Sequence, residues 1–152
     1  MSGAGAPKLQ IDATGLQIAI IVTSWHTEIT GGLLAGAERA LIAAGNTDYE
    51  IWRVPGAFEL PLAAQRAAAA GADAIVALGV VIQGDTPHFD YVCASATDGL
   101  TRVQLDTGVP IGFGLLTVNN EQQALDRAGL EGSKEDKGAE AVEAAVLMAR
   151  LN

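Results

Sequence analysis

Cations, cysteine and aromatic residues are all scarce in this 152-residue chain. Nine Lys and Arg stand against eighteen Asp and Glu, a net charge of −9. So acidic a chain repels a phosphate backbone or an anionic bilayer, so neither nucleic acid nor a membrane is expected as a partner. An anionic small molecule would have to be held by individual cations rather than by a general basic field. The single cysteine, Cys93, excludes an intrachain disulfide and a cysteine-based metal site. No apolar run reaches the ~18 residues that suggest a membrane span. Met1 to Pro7 lacks the charged and apolar regions of a signal peptide. A soluble cytoplasmic protein is therefore expected. No P-loop and no Gly-x-Gly-x-x-Gly follows a strand-like segment, which argues against nucleoside triphosphates and nicotinamide cofactors. A serine elbow and a metal-type His/Asp cluster are missing as well.

What is present is apolar. Hydrophobic residues make up 49% of the chain and mean hydropathy is +0.27, too apolar for disorder and enough for one domain with a sizeable core. It is also rich for a small monomer, which points to apolar surface covered by other subunits. Residues 1–14, with several Gly, Ala and Pro, read as a loose arm ahead of a domain over 15–152. Gln17 to Thr23 is a β-branched run and reads as a buried strand. His26 to Ala44 follows with Ile29, Leu33, Leu34, Ala37, Leu41 and Ile42 at helical spacing. Tyr49 to Val54 reads as a second strand, and a helix is predicted from Phe58 or Glu59 to Ala70. Ala74 to Ile82 is apolar on both faces, as a strand inside a parallel sheet must be. A third helix starts near Pro87, with Phe89, Val92, Cys93, Ala96, Leu100 and Val103 along one side. Ile111 to Val118 is a fourth strand, Glu121 to Arg127 a short helix, and Lys137 to Leu151 a last one. Such β-α alternation implies an open, doubly wound α/β fold: a four-stranded parallel sheet with helices on both faces. Ligands in that architecture sit beyond the carboxyl ends of the strands.

Four loops fall there. In the stretch Leu78 to Tyr91, Gly84 lets a ligand approach the backbone, Thr86 suits an N-cap and Pro87 a first helical position. The amides of that helix start would favour phosphate or carboxylate. A neutral imidazole at His88, in the first turn, is suited to accept and return a proton. An ordinary strand–helix junction with an exposed histidine fits the same residues. In Val54 to Pro61, Glu59 could accept hydroxyl hydrogen bonds and Phe58 could pack on a flat ligand; a capped helix with a solvated Glu reads equally from that segment. Trp25 could stack on a planar heterocycle or cover the sheet end, and His26 reads as a solvated helix-start residue. Arg127 is either an exposed helical arginine or a phosphate partner. Cys93 falls on an apolar face and reads as packing.

Taken together, Ser24-Trp25-His26, Val54-Pro-Gly-Ala-Phe-Glu-Leu-Pro61, Leu78 to Tyr91 with its Gly84-Asp-Thr-Pro-His-Phe-Asp-Tyr91, Pro110 to Thr117, Glu121 to Gly129 and Lys137-Gly-Ala-Glu-Ala141 resemble the lumazine synthase family in order and spacing across nearly the whole chain. The resemblance implies a flavodoxin-like fold and one reaction of riboflavin biosynthesis. In it, 5-amino-6-(ribitylamino)uracil condenses with 3,4-dihydroxy-2-butanone 4-phosphate to 6,7-dimethyl-8-ribityllumazine, releasing phosphate and water, with no cofactor or metal. It implies Trp25 stacked on the pyrimidine, and Ala57, Phe58 and Glu59 holding the ribityl chain. Val80, Val81 and Ile82 would meet the uracil edge through their backbones. Gly84, Asp85, Thr86 and Arg127 would bind phosphate, and His88 would move protons. Phe113 and Arg127 would come from a neighbouring subunit, and Lys137 is a further expected contact. Family members include pentamers and sixty-subunit capsids, and the long loop Gly129 to Lys137 favours a pentamer here. Riboflavin synthase is a candidate protein partner. Two positions depart from the usual pattern: Gln83 stands where Arg or Lys is common, and Asp85 where a small or neutral residue is more usual. A carboxylate ~4–5 Å from an anion near a surface costs a few kcal/mol, so Asp85 is expected to offer only its N–H.

Overall fold

The computed structural model describes residues 4–7 and 9–151. Four strands, β1 (Ile18–Thr23), β2 (Glu50–Val54), β3 (Ala74–Ile82) and β4 (Ile111–Val118), form one parallel sheet in the order β2-β1-β3-β4. Helices α1 (Thr27–Ala43), α2 (Leu60–Ala69), α3 (His88–Thr107), α4 (Glu121–Leu125) and α5 (Lys137–Arg150) complete the alternation, with one 3-10 turn at Ala57–Glu59 ahead of α2. From β1 the chain steps outward to β2, then returns to place β3 on the other side of β1. The reversal between β1 and β3 opens a crevice at their carboxyl ends.

The two-residue period of each strand builds a core on both faces. Ile18, Ile20 and Val22 of β1, with Val76, Leu78 and Val80 of β3, pack against α1 and α5. Ala19, Ile21, Ile75 and Ala77 point the other way, into α2 and α3. β3 is buried without a break from Ala74 to Val80. Each fully buried Leu, Ile or Val contributes about 1.5–3 kcal/mol, so this strand anchors the crevice it ends in. Helix α5 lies so close to α1 that a methyl group on Gly138 would collide with the Leu33 carbonyl, and so close to β4 that one on Gly112 would collide with that of Ala141.

The expected elements are present, with local corrections. Ile42 does not share the buried face of α1: it is 55% exposed while Leu41 is fully buried, because adjacent positions on a helix diverge by about 100°. Thr86 is not the N-cap of α3; that place falls to Pro87, and the Thr86 hydroxyl only faces the His88 N–H at 3.4 Å. Helix α4 closes at Leu125, so Arg127 lies beyond it. Cys93 is half-buried in α3, and burial together with Asp90 pushes its thiol pKa up. The stretch 1–14 lies partly outside the described residues. Within it, Ala13 is fully buried and donates its N–H to Ala44 O at 2.9 Å, and Arg150 donates to the carbonyls of Asp12 and Thr14 at 3.1 and 2.6 Å. No described helix is long and apolar enough to cross a membrane.

Candidate active site

Two hydrogen bonds draw the loop after β1 against the loop after β2. The Ser24 N–H donates to Pro55 O at 3.2 Å and its hydroxyl to Val54 O at 2.8 Å. The next residues must then turn sharply into α1. His26 does so in the left-handed region, φ 53°, the one positive φ among described non-glycine residues. Such a conformation costs roughly 1–2 kcal/mol and persists where surrounding contacts enforce it. Here the His26 carbonyl accepts both the Thr30 N–H, at 3.0 Å, and the Thr30 hydroxyl, at 3.2 Å. Trp25 is left 66% exposed, with its indole across Gly56: a Cβ there would sit 3.4 Å from Nε1. That is an ordinary contact distance, so the ring lies directly against the loop.

Glu59 secures that loop from inside. Its Oε2 accepts the Gly56 N–H at 2.9 Å, bridging the 3-10 turn and fixing the direction of the carboxylate. Ala57 is buried, whereas the Phe58 ring is 65% exposed. The third wall is the end of β3. Its ladder with β1 runs only from Ala74 to Leu78, whereas its ladder with β4 continues to Ile82. The N–H groups of Ile75 and Gln83 donate to Pro110 O and Val118 O on the β4 side. By the two-residue period, the Val80 and Ile82 peptides face the β1 side, and β1 has ended where Ile82 begins to overhang it. Trp25, His26, Gly56 to Glu59, Val80 to Ile82, His88 and Val92 surround a cleft of about 300 Å³. Apolar side chains, one carboxylate, the imidazoles of His26 and His88 and overhanging peptide groups are what such a space offers a flat, polar-edged ligand.

The loop after β3 borders this cleft. Gln83 to His88 are all exposed, and the Asp90 N–H donates to Pro87 O at 3.0 Å. No atom lies within 4 Å of where a Gly84 Cβ would be, so no contact within the chain demands glycine there. Gly84, Asp85 and Thr86 do not line the cleft, although His88 does.

Three expected site residues lie elsewhere. Phe113, 47% exposed, is five residues short of the β4 carboxyl end, about 16 Å down an edge strand. Arg127 donates through Nη1 to Gln123 O at 2.9 Å and pairs through Nε with Glu135 at 3.5 Å, beside a separate cavity of about 390 Å³. Lys137 lies 3.8 Å from Glu135 and 3.3 Å from Glu140. Among the described residues no Lys or Arg lines the cleft. A larger cavity, about 440 Å³, opens at the opposite end of the sheet. Its buried polar side chain, Asn46, is bonded to Ala13 O, Leu16 O and the Asp48 N–H.

A family model described as 6,7-dimethyl-8-ribityllumazine synthase matches residues 15–152. The chain belongs to the 6,7-dimethyl-8-ribityllumazine synthase family. It is 65% identical to the protein of that name from Kineococcus radiotolerans over 146 residues, covering 96% of this chain and 91% of the relative. It is 63% identical to that of Leifsonia xyli subsp. xyli over 151 residues, covering 98% and 95%. The Streptomyces coelicolor protein is 57% identical over 150 residues, covering 98% and 93%. For a lumazine synthase, the expected Trp25, Ala57, Phe58, Glu59, Val80, Val81, Ile82 and His88 line one cleft. Gly56 and Val92 join them without having been singled out, and so does His26, which read from sequence as a solvated helix-start residue. Gly56 could have been suspected from its place three residues before Glu59, the spacing of a carboxylate that reaches back to cap a turn.

Proposed function

We propose that this cleft is where the chain performs the family reaction, the condensation of 5-amino-6-(ribitylamino)uracil with 3,4-dihydroxy-2-butanone 4-phosphate. The observation that carries the reading is the exposed Trp25 ring laid over Gly56, next to the Glu59 carboxylate and the overhanging end of β3. Trp25 stacks on the pyrimidine, and the Val80 and Ile82 peptide groups that face the β1 side meet its polar edge. Glu59 accepts hydrogen bonds from ribityl hydroxyls with the lone pairs Gly56 leaves, and Ala57 and Phe58 flank the chain. The 5-amino group attacks the ketone carbonyl, and one water leaves as the imine forms. Loss of phosphate and closure of the ring with loss of a second water then give the lumazine. His88 accepts and returns the protons these eliminations move. Proximity supplies much of the rate, because two substrates must meet in one orientation.

The phosphate needs cations, and among the described residues no Lys or Arg lines the cleft. Arg127 of an adjacent subunit supplies the main one and Phe113 of that subunit closes the ring site, with Gly84, Asp85 and Thr86 offering backbone N–H groups and Lys137 close behind. A cyclic pentamer brings these parts together, with a mass of about 78 kDa from five 15.6 kDa chains. A non-catalytic flavin or lumazine binder would use the same ring and carboxylate but would form no product. The test is product absorbance on mixing the two substrates with the purified chain; binding without turnover would leave only the second reading. Subunit sharing is tested by co-assembling His88→Ala and Arg127→Ala chains at equal amounts. About one quarter of randomly formed inter-subunit sites then regain both residues, so activity should rise to about a quarter of wild type. Activity equal to the mean of the two parent variants would place Arg127 in the site of its own chain.

A further inference from the structure

The Arg127 segment is built as a clamp around one carboxylate. The N–H groups of Lys134 and Glu135 donate to Asp126 O at 2.8 and 2.9 Å, that of Gly129 to Glu135 O at 3.0 Å, and that of Lys137 to Arg127 O at 3.0 Å. Ala128 and Asp136 pair across it as an antiparallel bridge. These backbone bonds, not side-chain flexibility, set Glu135 opposite Arg127. The Glu135 side chain is only 10% exposed, and its Oε2 is buried without a hydrogen bond. A buried carboxylate oxygen in that state needs charge compensation. It has two sources, Arg127 Nε at 3.5 Å and Lys137 Nζ at 3.8 Å. Both distances exceed a hydrogen bond, so the carboxylate attracts the two cations by charge. On the other side, Nη1 of Arg127 is tied to Gln123 O. Two contacts at Nε and Nη1 fix the plane of a rigid fork, and neither engages Nη2.

We propose that Glu135 is a positioning residue for phosphate recognition: from between Arg127 and Lys137 it holds the Arg127 guanidinium in the plane in which that fork receives the substrate phosphate. This rests on the phosphate role assigned to Arg127 above. Glu135 lines the cavity beside Arg127, with Asp126 and Lys134, and acts on the phosphate only through the guanidinium.

The experiment compares Glu135→Gln, Arg127→Ala and the double variant in the assembled enzyme, with steady-state kinetics for each substrate and inorganic phosphate as competitive inhibitor. Glu135→Gln keeps the shape and removes the charge. It should raise KM for the phosphate substrate and the inhibition constant of inorganic phosphate together, by about five- to tenfold, with kcat and KM for the uracil within about twofold. In the Arg127→Ala background it should add nothing, because its effect acts through that guanidinium. A merely structural role would instead move both KM values and persist without Arg127. An unchanged or lowered phosphate KM in Glu135→Gln, with Arg127→Ala strongly raising it, overturns this proposal alone. An unchanged phosphate KM in Arg127→Ala removes the phosphate role of Arg127 and this proposal with it. If Glu135→Gln does not fold, Glu135→Asp, which keeps the charge on a shorter arm, should show the same selective rise at smaller size.

Discussion

Glu59 offers the sharpest quantitative test, because its two tasks can be separated. One carboxylate oxygen is committed to the Gly56 N–H at 2.9 Å, and the side chain is half-buried at the cleft wall. Glu59→Gln retains an oxygen that can keep that bond but removes the charge. A hydrogen bond to a charged acceptor contributes about 1.5–3 kcal/mol, and one between neutral groups about 0.5–1.5. A ribityl hydroxyl donating to the amide in place of the carboxylate therefore loses about 1–1.5 kcal/mol, or roughly five- to twelvefold in affinity at 1.4 kcal/mol per tenfold. Steady-state kinetics with each substrate varied in turn should show KM for the ribitylaminouracil rising by that factor, with KM for the phosphate substrate within about twofold. Glu59→Ala removes the bridge to Gly56 as well, at about 0.5–2 kcal/mol of local stability. Because Trp25 rests on that turn, Glu59→Ala should also alter the Trp25 fluorescence of the free enzyme, read in a Trp52→Phe background, whereas Glu59→Gln should not. Equal changes in both KM values for Glu59→Gln, or none in either, would refute the assignment of the ribityl chain to this wall.

His88→Ala should slow turnover by roughly ten- to a thousandfold without abolishing it, toward the low side of the usual contribution of about 10²–10⁴-fold for one acid–base group because proximity supplies much of the rate; unchanged kinetics would take His88 out of the mechanism. Gly138→Ala forces a methyl into the Leu33 carbonyl at the α1–α5 crossing. Overpacking of this kind costs about 1–3 kcal/mol, a fall in Tm of roughly 3–10 °C for a chain of this size by calorimetry at fixed protein concentration. Tyr49 donates its hydroxyl to Glu38, which, with burial, pushes the phenol pKa up from 10.0 to about 12. The folded state thus holds that proton more tightly than the unfolded chain. The benefit is complete below pH 10 and is lost as pH rises to about 12. Tyr49→Phe should lower stability by about 1 kcal/mol near neutrality, and its difference from wild type should shrink across that window in urea titrations. A constant difference would mean the hydrogen bond is not what holds the proton.

The fold was legible where both faces of an element are buried. Ala74 to Ile82 coincides with β3 residue for residue, because a strand covered by α1 and α5 on one side and by α2 and α3 on the other leaves no room for a polar position. Legibility falls at edges and junctions. Trp52 and Val54 of edge strand β2 are only partly buried, so their pattern is mixed. Ile42 was misplaced because apolarity alone does not say which of two adjacent apolar residues turns inward. The entry into α1 depends on a left-handed His26, held by Thr30 and by Ser24 bonds to another loop. That conformation is imposed by tertiary contacts and carries no composition signal of its own.

The candidate site divides along the same physical line. Residues that follow a buried strand directly are placed by that strand. Trp25 after β1, the Ala57–Glu59 turn after β2, the overhang of β3 and His88 therefore converge on one crevice that strand order alone specifies. Phe113 and Arg127 are not placed that way. Phe113 sits mid-strand on an edge, and Arg127 follows α4 in a loop whose direction is set by clamp bonds to residues 134–137. Each is fixed within its own chain yet remote from its own cleft. Glu135 was invisible for a further reason: in the run Lys134-Glu-Asp-Lys137 charges of both signs read as a solvated surface. What separates this carboxylate from a surface one is its burial between two cations, and that arises only when the loop closes on itself. Among the described residues one cleft is lined by no Lys or Arg while Arg127 is held beside a separate cavity, and that division is the physical reason the sharing of one phosphate site between two copies of this chain is put to the co-assembly test.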